Sequence, residues 1–430
     1  MPMNKLNLYK YLSVSVLSVS VFFLTGCTIP FLSQGSNPIT LKYESLWEPK
    51  GTYADVISKY QSTSPNVTIE FSDNSSSTIA AYKEDLLNRL RSGENVPDLM
   101  RIHISWLPEF KEFLEPSVYS STEFNDSYYP GVNAAVAEKI VNEENYLVYG
   151  IPLYYDSLVL VYNKAHFEEA GIKNPPVNWE QFFRASYFLT KKDSSGAIVR
   201  SGAAFGSSDL EFYTDTFGIL LSNANINFPD DLTEGSTGLE SVLRVLNRST
   251  EWNPNFGNAG NAFVSRKASM IIVPSWRVND LLTANKDIEL GVAPLPSANI
   301  ENPKVWPTYF VEVVPNKSQN PSESWKFLKF LSSKESASDI YSKQSSVRVL
   351  PSLPALKSLA TEINVDPVLK TLSNYANTAN PTHLNGQSII FSDRAGNTRC
   401  VESVKSYIKG NDSNALIGGL SVIKTDCSLE

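Results

Sequence analysis

From residue 39 onward the chain switches between two hydrophobic periods. Leu41-Lys42-Tyr43-Glu44-Ser45-Leu46 reads as a half-buried strand, and Trp47-Glu48-Pro49-Lys50-Gly51 breaks it with a turn. Over residues 52–64 the apolar positions shift to Tyr53, Val56, Ile57 and Tyr60, one face of a helix that Pro65 stops. Residues 67–71 return to strand. Ile79, Tyr82, Leu86, Leu87 and Leu90 then recur at helical spacing up to Gly93, and residues 97–102 form a third strand. Strand, helix, strand, helix, strand predicts parallel pairing through right-handed crossovers, the opening of an α/β domain.

The rhythm continues. Leu158-Val159-Leu160-Val161-Tyr162 is apolar without interruption, as in a strand covered on both faces. Asn178 is placed to cap a helix, with Gln181 three residues later, and Trp179, Phe182, Phe183, Tyr187 and Leu189 form its apolar face. Residues 239–246 read as a helix, 268–273 as a strand, and Trp325, Phe327, Leu328, Phe330 and Leu331 as a helix after the turn at Asn320-Pro321.

The N-terminus is patterned differently. Lys5 and Lys10 precede an apolar run over residues 11–24, broken only by Ser13, Ser15, Ser18 and Ser20. At about 14 residues the run is shorter than the ~20 that a membrane-spanning helix needs, and it has the form of a secretory signal. Its end, Leu24-Thr25-Gly26-Cys27, resembles the bacterial lipobox. That resemblance implies cleavage after residue 26 and a diacylglycerol, with palmitate-type acyl chains, on the Cys27 thiol. Each buried methylene contributes about 0.8 kcal/mol and one chain holds only marginally, so two chains suit a stable anchor. Residues 27–38 would then be the lipidated cysteine and its tether, holding the protein at the outer face of a bacterial cell membrane.

Composition narrows the partners. The remaining chain is long enough for two hydrophobic cores. A net charge of −8, with no basic run longer than Lys191-Lys192, argues against nucleic acid. Aromatics at 11% beside 19% charged residues suit a binder of neutral, partly apolar ligands, and suit large cores equally. With Cys27 modified, Cys400 and Cys427 remain. Outside the cytosol they can pair, contributing ~3–4 kcal/mol in the chain-entropy model, or stay as two free thiols. Two distant cysteines with His103, His166 and His383 are too few for a metal site, and no cofactor is expected.

The order of local motifs resembles family 1 extracellular solute-binding proteins, the maltose-binding-protein-like receptors of ATP-driven (ABC) importers. The matching stretches are Ser92-Gly93 with Pro97-Asp98, residues 149–157 (Tyr-Gly-Ile-Pro-Leu-Tyr-Tyr-Asp-Ser), and Val161-Tyr162-Asn163-Lys164 with Phe167 and Ala170-Gly171. Pro175-Pro176-Val177-Asn178-Trp179-Glu180 follows, with Asn178 where the family usually has Thr. Then come Phe263, Lys267-Ala268-Ser269-Met270 and Ser275-Trp276, with Arg266 in a common Gly position, and Ala293-Pro294-Leu295-Pro296 and residues 325–331. Order and spacing together carry the resemblance over most of residues 40–360.

The resemblance implies two α/β lobes joined by crossing hinge segments, closing on ligand as a Venus flytrap does. It places the crossings near residues 151–155 and 292–296. The lobes would be 39–152 plus 295–335, and 153–294 plus 336–430. It further implies capture of a carbohydrate, an oligosaccharide in particular, by a monomer that delivers it to the permease subunits of an ABC transporter.

Ligand contacts are expected in the cleft between lobes, at strand ends. Trp276 leads, since in the family an aromatic after this strand stacks on a sugar ring and a flat indole covers a pyranose C–H face. Trp47, just after the first strand, is next. For both, burial in a core is the competing reading. Tyr155 and Asp156 lie at the first crossing, where a carboxylate can accept from two hydroxyls or else pair with a cation. Arg101 and His103 follow the third strand, and Trp306 and Tyr309 the second crossing.

An enzyme acting on the same sugars is the main rival. Glycoside hydrolysis needs two carboxylates across the scissile bond, and among 45 acids some pair always looks possible. No G-x-S-x-G, H-E-x-x-H or Walker-type loop occurs, and the S-x-x-K spacing of Ser421 and Lys424 lacks partner motifs. The sequence therefore predicts a binding protein and no catalysis. A polyol, phosphodiester or polyamine ligand, and a sensory lipoprotein, are the alternatives.

Overall fold

In the computed structural model, residues 37–381 are described apart from 208–209, 227–230, 232–236, 247, 249–250, 302, 364–365 and 379; beyond them only 402–403, 405–407, 421–423 and 425–426 are. The signal segment, Cys27, Cys400 and Cys427 lie outside the described residues.

The first sheet takes the strands that the alternating segments predict. Strands β1 (Ile39–Ser45), β2 (Val67–Asp73) and β3 (Leu99–His103) are joined by helices α1 (Lys50–Thr63) and α2 (Ile79–Ser92). β1 pairs parallel with both β2 and β3, as the crossover pattern requires. α1 buries Tyr53, Val56, Ile57 and Tyr60, the face read from the sequence, and α2 buries Tyr82, Leu86, Leu87 and Leu90. Gly93 ends α2 at φ 77°, a left-handed cap in which its N–H donates to the Arg89 carbonyl.

The chain next crosses to a second sheet. Ile151 still exchanges both backbone hydrogen bonds with Glu312, at 3.0 Å each. Strand β4 (Tyr154–Tyr155) follows, and β5 (Leu158–Asn163) is then the middle strand of a different sheet. β5 is flanked by β6 (Met270–Pro274) and β7 (Leu290–Ala293), antiparallel to both. Its unbroken apolar run thus belongs to a central strand covered on both faces in an antiparallel setting.

Between β5 and β6, helix α3 (Trp179–Leu189) begins where Asn178 accepts the Gln181 N–H at 2.9 Å. Gln181 reaches back past the cap to the Val177 N–H at 3.0 Å. The buried face holds Trp179, Phe182, Phe183 and Leu189, but Ser186 takes the inward position expected of Tyr187, which is 70% exposed. Phe205 completes the aromatic cluster, 5.3 Å from Phe182.

After β7 the chain returns. The Trp306 carbonyl accepts from the Leu158 N–H at 3.0 Å, and the Thr308 N–H donates to the Asp156 carbonyl at 3.0 Å. Helix α4 (Arg277–Ala284) lies between β6 and β7, and strand β8 (Phe310–Val313) joins the first sheet antiparallel to β3. The first sheet therefore runs β8-β3-β1-β2 and the second β6-β5-β7. Helix α5 (Pro321–Leu331) buries Trp325, Phe327, Leu328 and Leu331. Helix α6 (Lys334–Val347) packs on α1, where Lys59 pairs with Glu335 and Lys343 with Asp55 at 3.4 Å. Beyond α6, strand β9 (Leu353–Pro354) pairs with β4, so a third segment reaches the crossing.

Candidate functional site

Three chain segments approach one another where the strands of the two sheets end. They enclose a cavity of about 270 Å³ to which both sheets contribute. A larger depression, about 450 Å³, lies between residues 170–176 and α3 and takes no residue from a strand of either sheet. The shared cavity is the better candidate, because a cleft at strand ends between two α/β units is where such folds bind small molecules.

Its first wall follows β1. Trp47 adopts φ 56°, left-handed and sterically unfavourable for a bulky residue, and its indole is 39% exposed. The Phe310 ring meets it edge-on at 6.0 Å. Leu46 and Glu48 on either side are buried. Pro49 next starts α1 as its N-cap.

Behind this wall sits a buried charge network. Arg101 on β3 donates from Nε to Glu312 at 2.7 Å, from Nη1 to Glu48 at 3.3 Å and from Nη2 to the Tyr53 hydroxyl at 2.6 Å. Burial raises the Glu312 pKa from its ordinary value and Arg101 pulls it back only in part. Burial likewise pushes the hydroxyls of Tyr43, Tyr53 and Tyr154 well up. Glu48 has a second cation: Arg348, at the end of α6, stands 3.8 Å from its other oxygen. Arg348 in turn donates to Ser352 at 3.0 Å.

The opposite wall comes from the second sheet. Trp276 follows β6 and is half-buried, with Phe212 edge-on at 6.2 Å and the Arg277 guanidinium 5.6 Å from its ring centroid. One turn further, Asn279 accepts the Leu350 N–H at 3.1 Å, and Asp280 pairs with Arg277 at 3.0 Å. At the crossing, Asp156 accepts from the Ser275 hydroxyl at 2.8 Å, and that hydroxyl accepts the Ser157 N–H at 3.2 Å. The Asp156 carboxylate is thereby oriented before any ligand arrives.

Of the eight residues singled out in the sequence, Trp47, Arg101, Asp156 and Trp276 line this cavity together. The other four lie in the interior. Tyr155 packs between Tyr129 and Tyr309, at 5.1 and 5.3 Å; Trp306 donates to Asp215 at 2.9 Å; and His103 contacts Ser105 at 2.6 Å. Tyr154, next to Tyr155, and Thr308 and Phe310, on either side of Tyr309, line the cavity instead, whereas no chain neighbour of His103 or Trp306 does. In extended backbone successive side chains face opposite sides, so at Tyr155 and Tyr309 the cavity lining lies one residue away from the positions expected from the sequence. Glu48 and Arg348 carried no sequence signal of their own. Among the described residues no cluster of His, Cys, Asp and Glu could hold a metal ion, and no helix is long and apolar enough to cross a membrane.

A cavity with two indoles, an oriented carboxylate and no nucleophile–base pair is equipped to hold a polar ligand with apolar faces. A binding protein of Brucella abortus (strain 2308) is 23% identical over 303 residues, covering 66% of this chain and 69% of its own length. The multiple sugar-binding protein of Streptococcus mutans serotype c is 21% identical over 344 residues, 76% of this chain and 79% of its own. The crystal structure of a cyclo/maltodextrin-binding protein complexed with maltotetraose superposes with TM-score 0.67 at 16% identity, covering 91% of this chain and 98% of the other. The fold is thus the two-lobed one of maltose-binding-protein-like proteins, a family of binding proteins and not of enzymes. The family model described as bacterial extracellular solute-binding protein matches residues 45–338, and the chain belongs to that family.

Proposed function

We propose that the protein captures a carbohydrate, an oligosaccharide in particular, in the cleft between its sheets and delivers it to an ABC importer. The observation that carries this reading is the pair Trp47 and Trp276, one from each sheet's rim, on a single cavity that also presents Asp156. Indoles cover the C–H faces of sugar rings, and burial contributes about 25 cal/mol per Å². A carboxylate accepts from two hydroxyls at once. The maltotetraose held by one structural neighbour and the sugar binding named for the Streptococcus relative support the ligand class.

The lobes are proposed as 39–152 with 295–335, extended by α6 because it packs on α1, and 153–294 with the chain beyond α6. A ligand touching both walls binds the closed arrangement preferentially and shifts the population toward it. The closed surface is what a permease would recognise. Lipid on Cys27 would hold the receptor at the outer face of the cell membrane, beside its transporter.

Thermal shift of the membrane-extracted protein tests the ligand class. The panel is maltose, maltotriose, maltotetraose, mannobiose and mannotriose, with glycerol, glycerol 3-phosphate and spermidine as controls. A ligand at a hundred times its dissociation constant adds about 2.7 kcal/mol to stability, readable as a raised Tm. A rise with a saccharide and none with the controls supports the reading. A rise only with a control removes the stacking argument, and no rise at all rejects the carbohydrate assignment.

A further inference from the structure

We propose that Glu48 is the positioning residue of this cleft: its carboxylate, shared by Arg101 and Arg348, holds Trp47 in the left-handed conformation that presents the indole to the cavity. The inference rests on the proposed reading of Trp47 as a ligand-facing residue and says what keeps it there.

Three observations converge. Trp47 sits at φ 56°, where a bulky side chain crowds its own backbone, and such a conformation persists only when the surroundings over-determine it. The second observation is side-chain direction. Trp47 is 39% exposed between Leu46 at 0% and Glu48 at 3%, so the turn throws the indole outward and the carboxylate inward. The third is how the carboxylate is held. One oxygen lies 3.3 Å from Arg101 Nη1, and Arg101 is itself fixed by Glu312 and Tyr53. The other accepts no hydrogen bond and meets Arg348 Nη2 only as an ion pair at 3.8 Å, while Arg348 donates to Ser352 at 3.0 Å.

Pro49 adds a constraint from the far side, since a residue before proline is confined to extended backbone. Glu48 is therefore constrained through both its side chain and its main chain, and the chain changes direction at Leu46 and Trp47, with Trp47 in the left-handed region. Arg348 also links this rim to the far wall. The segment that follows it donates from Leu350 N–H to Asn279 on α4 and pairs with β4 through β9. Glu48 thus ties the Trp47 rim to a segment that touches the second-sheet wall.

The test reads the indole directly and needs no ligand. The full chain is labelled with 5-fluorotryptophan, and the ¹⁹F lines of Trp47 and Trp276 are assigned by their loss in Trp47→Phe and Trp276→Phe. In the ligand-free protein, Glu48→Gln and Arg348→Gln are expected to shift or broaden the Trp47 line and leave the Trp276 line in place. For any saccharide that raises the wild-type Tm, both variants should weaken binding about tenfold. If Glu48→Gln does not fold, Arg348→Gln decides, because that side chain is 28% exposed and its loss leaves Glu48 paired with Arg101. A Trp47 line unmoved in the folded variants overturns the proposal and leaves a merely structural ion pair. A shifted line in a protein that binds no saccharide supports the positioning role and refutes the ligand reading alone.

Discussion

Arg101 and Glu312 are direct cross-strand partners on β3 and β8, and the guanidinium Nε donates to the carboxylate at 2.7 Å with both side chains almost wholly buried. The same Glu312 backbone is joined to Ile151 at the first crossing, so this pair stands where the first sheet meets the connecting segment. Removing one partner of a buried pair leaves a charge without compensation and costs about 3–5 kcal/mol, whereas replacing both with apolar groups can be nearly neutral. Arg101→Met is therefore expected to lose stability on that scale. The double variant Arg101→Met/Glu312→Leu should recover part of it, the remainder reflecting the lost bonds to Glu48 and Tyr53. Denaturant unfolding of the single and double variants measures the coupling, and strictly additive losses would contradict it.

A pH dependence follows from His166. Its ring lies against the Ser269 hydroxyl at 2.9 Å in the short helix Lys164–Glu169, and burial, with the Arg200 charge, lowers its pKa to about 4. The unfolded chain binds a proton near pH 6.5 that the folded chain does not accept until about pH 4. This contribution is therefore fully present above pH 6.5 and is lost as pH falls through the window, to the extent of roughly 3 kcal/mol. The wild type should lose Tm more steeply than His166→Gln between pH 6.5 and 4. Parallel curves for the two would show that His166 titrates normally.

Packing of the second sheet gives a sharper test of the fold. A Cβ added at Gly202 would stand 1.8 Å from the Ser186 carbonyl oxygen of α3, a backbone atom that cannot swing aside. Gly202→Ala should thus cost about 3 kcal/mol, the upper part of the range for overpacking. A variant as stable as the parent would mean that α3 does not lie against this segment.

Much of this arrangement was legible in the sequence. The two periods of the first hundred residues gave β1 to β3 and their helices because each element buries one face against a single layer, so apolar spacing reports geometry directly. Asn178 announced α3 through its side-chain cap. What stayed hidden depended on long-range meetings. Glu312 lies two hundred residues from Arg101, and Arg348 is separated from Glu48 by most of the chain, so neither pairing leaves a local pattern. Which of Tyr154 and Tyr155 faces the cavity leaves no local pattern either, because a two-residue strand is too short for its alternation to fix a phase.

The proposed anchor makes its own prediction at Cys27. Replacing the cysteine by Ala removes the only thiol at the end of the apolar N-terminal run, and the protein should move from the membrane fraction to the soluble extracytoplasmic fraction. Quantitative fractionation of wild type and variant measures it. Retention of the Cys27→Ala protein on membranes would sink the lipid anchor.

The central claim is that a saccharide is held between the indoles of Trp47 and Trp276. It is tested most directly by titrating the saccharide found by thermal shift into the wild type, Trp47→Phe, Trp276→Phe and the double variant, following tryptophan emission. The account predicts a saturable change in the wild type, a weaker and smaller change in each single variant, and none in the double variant, with unliganded Tm values within a few degrees of one another. Full affinity and an undiminished signal in the double variant would contradict it.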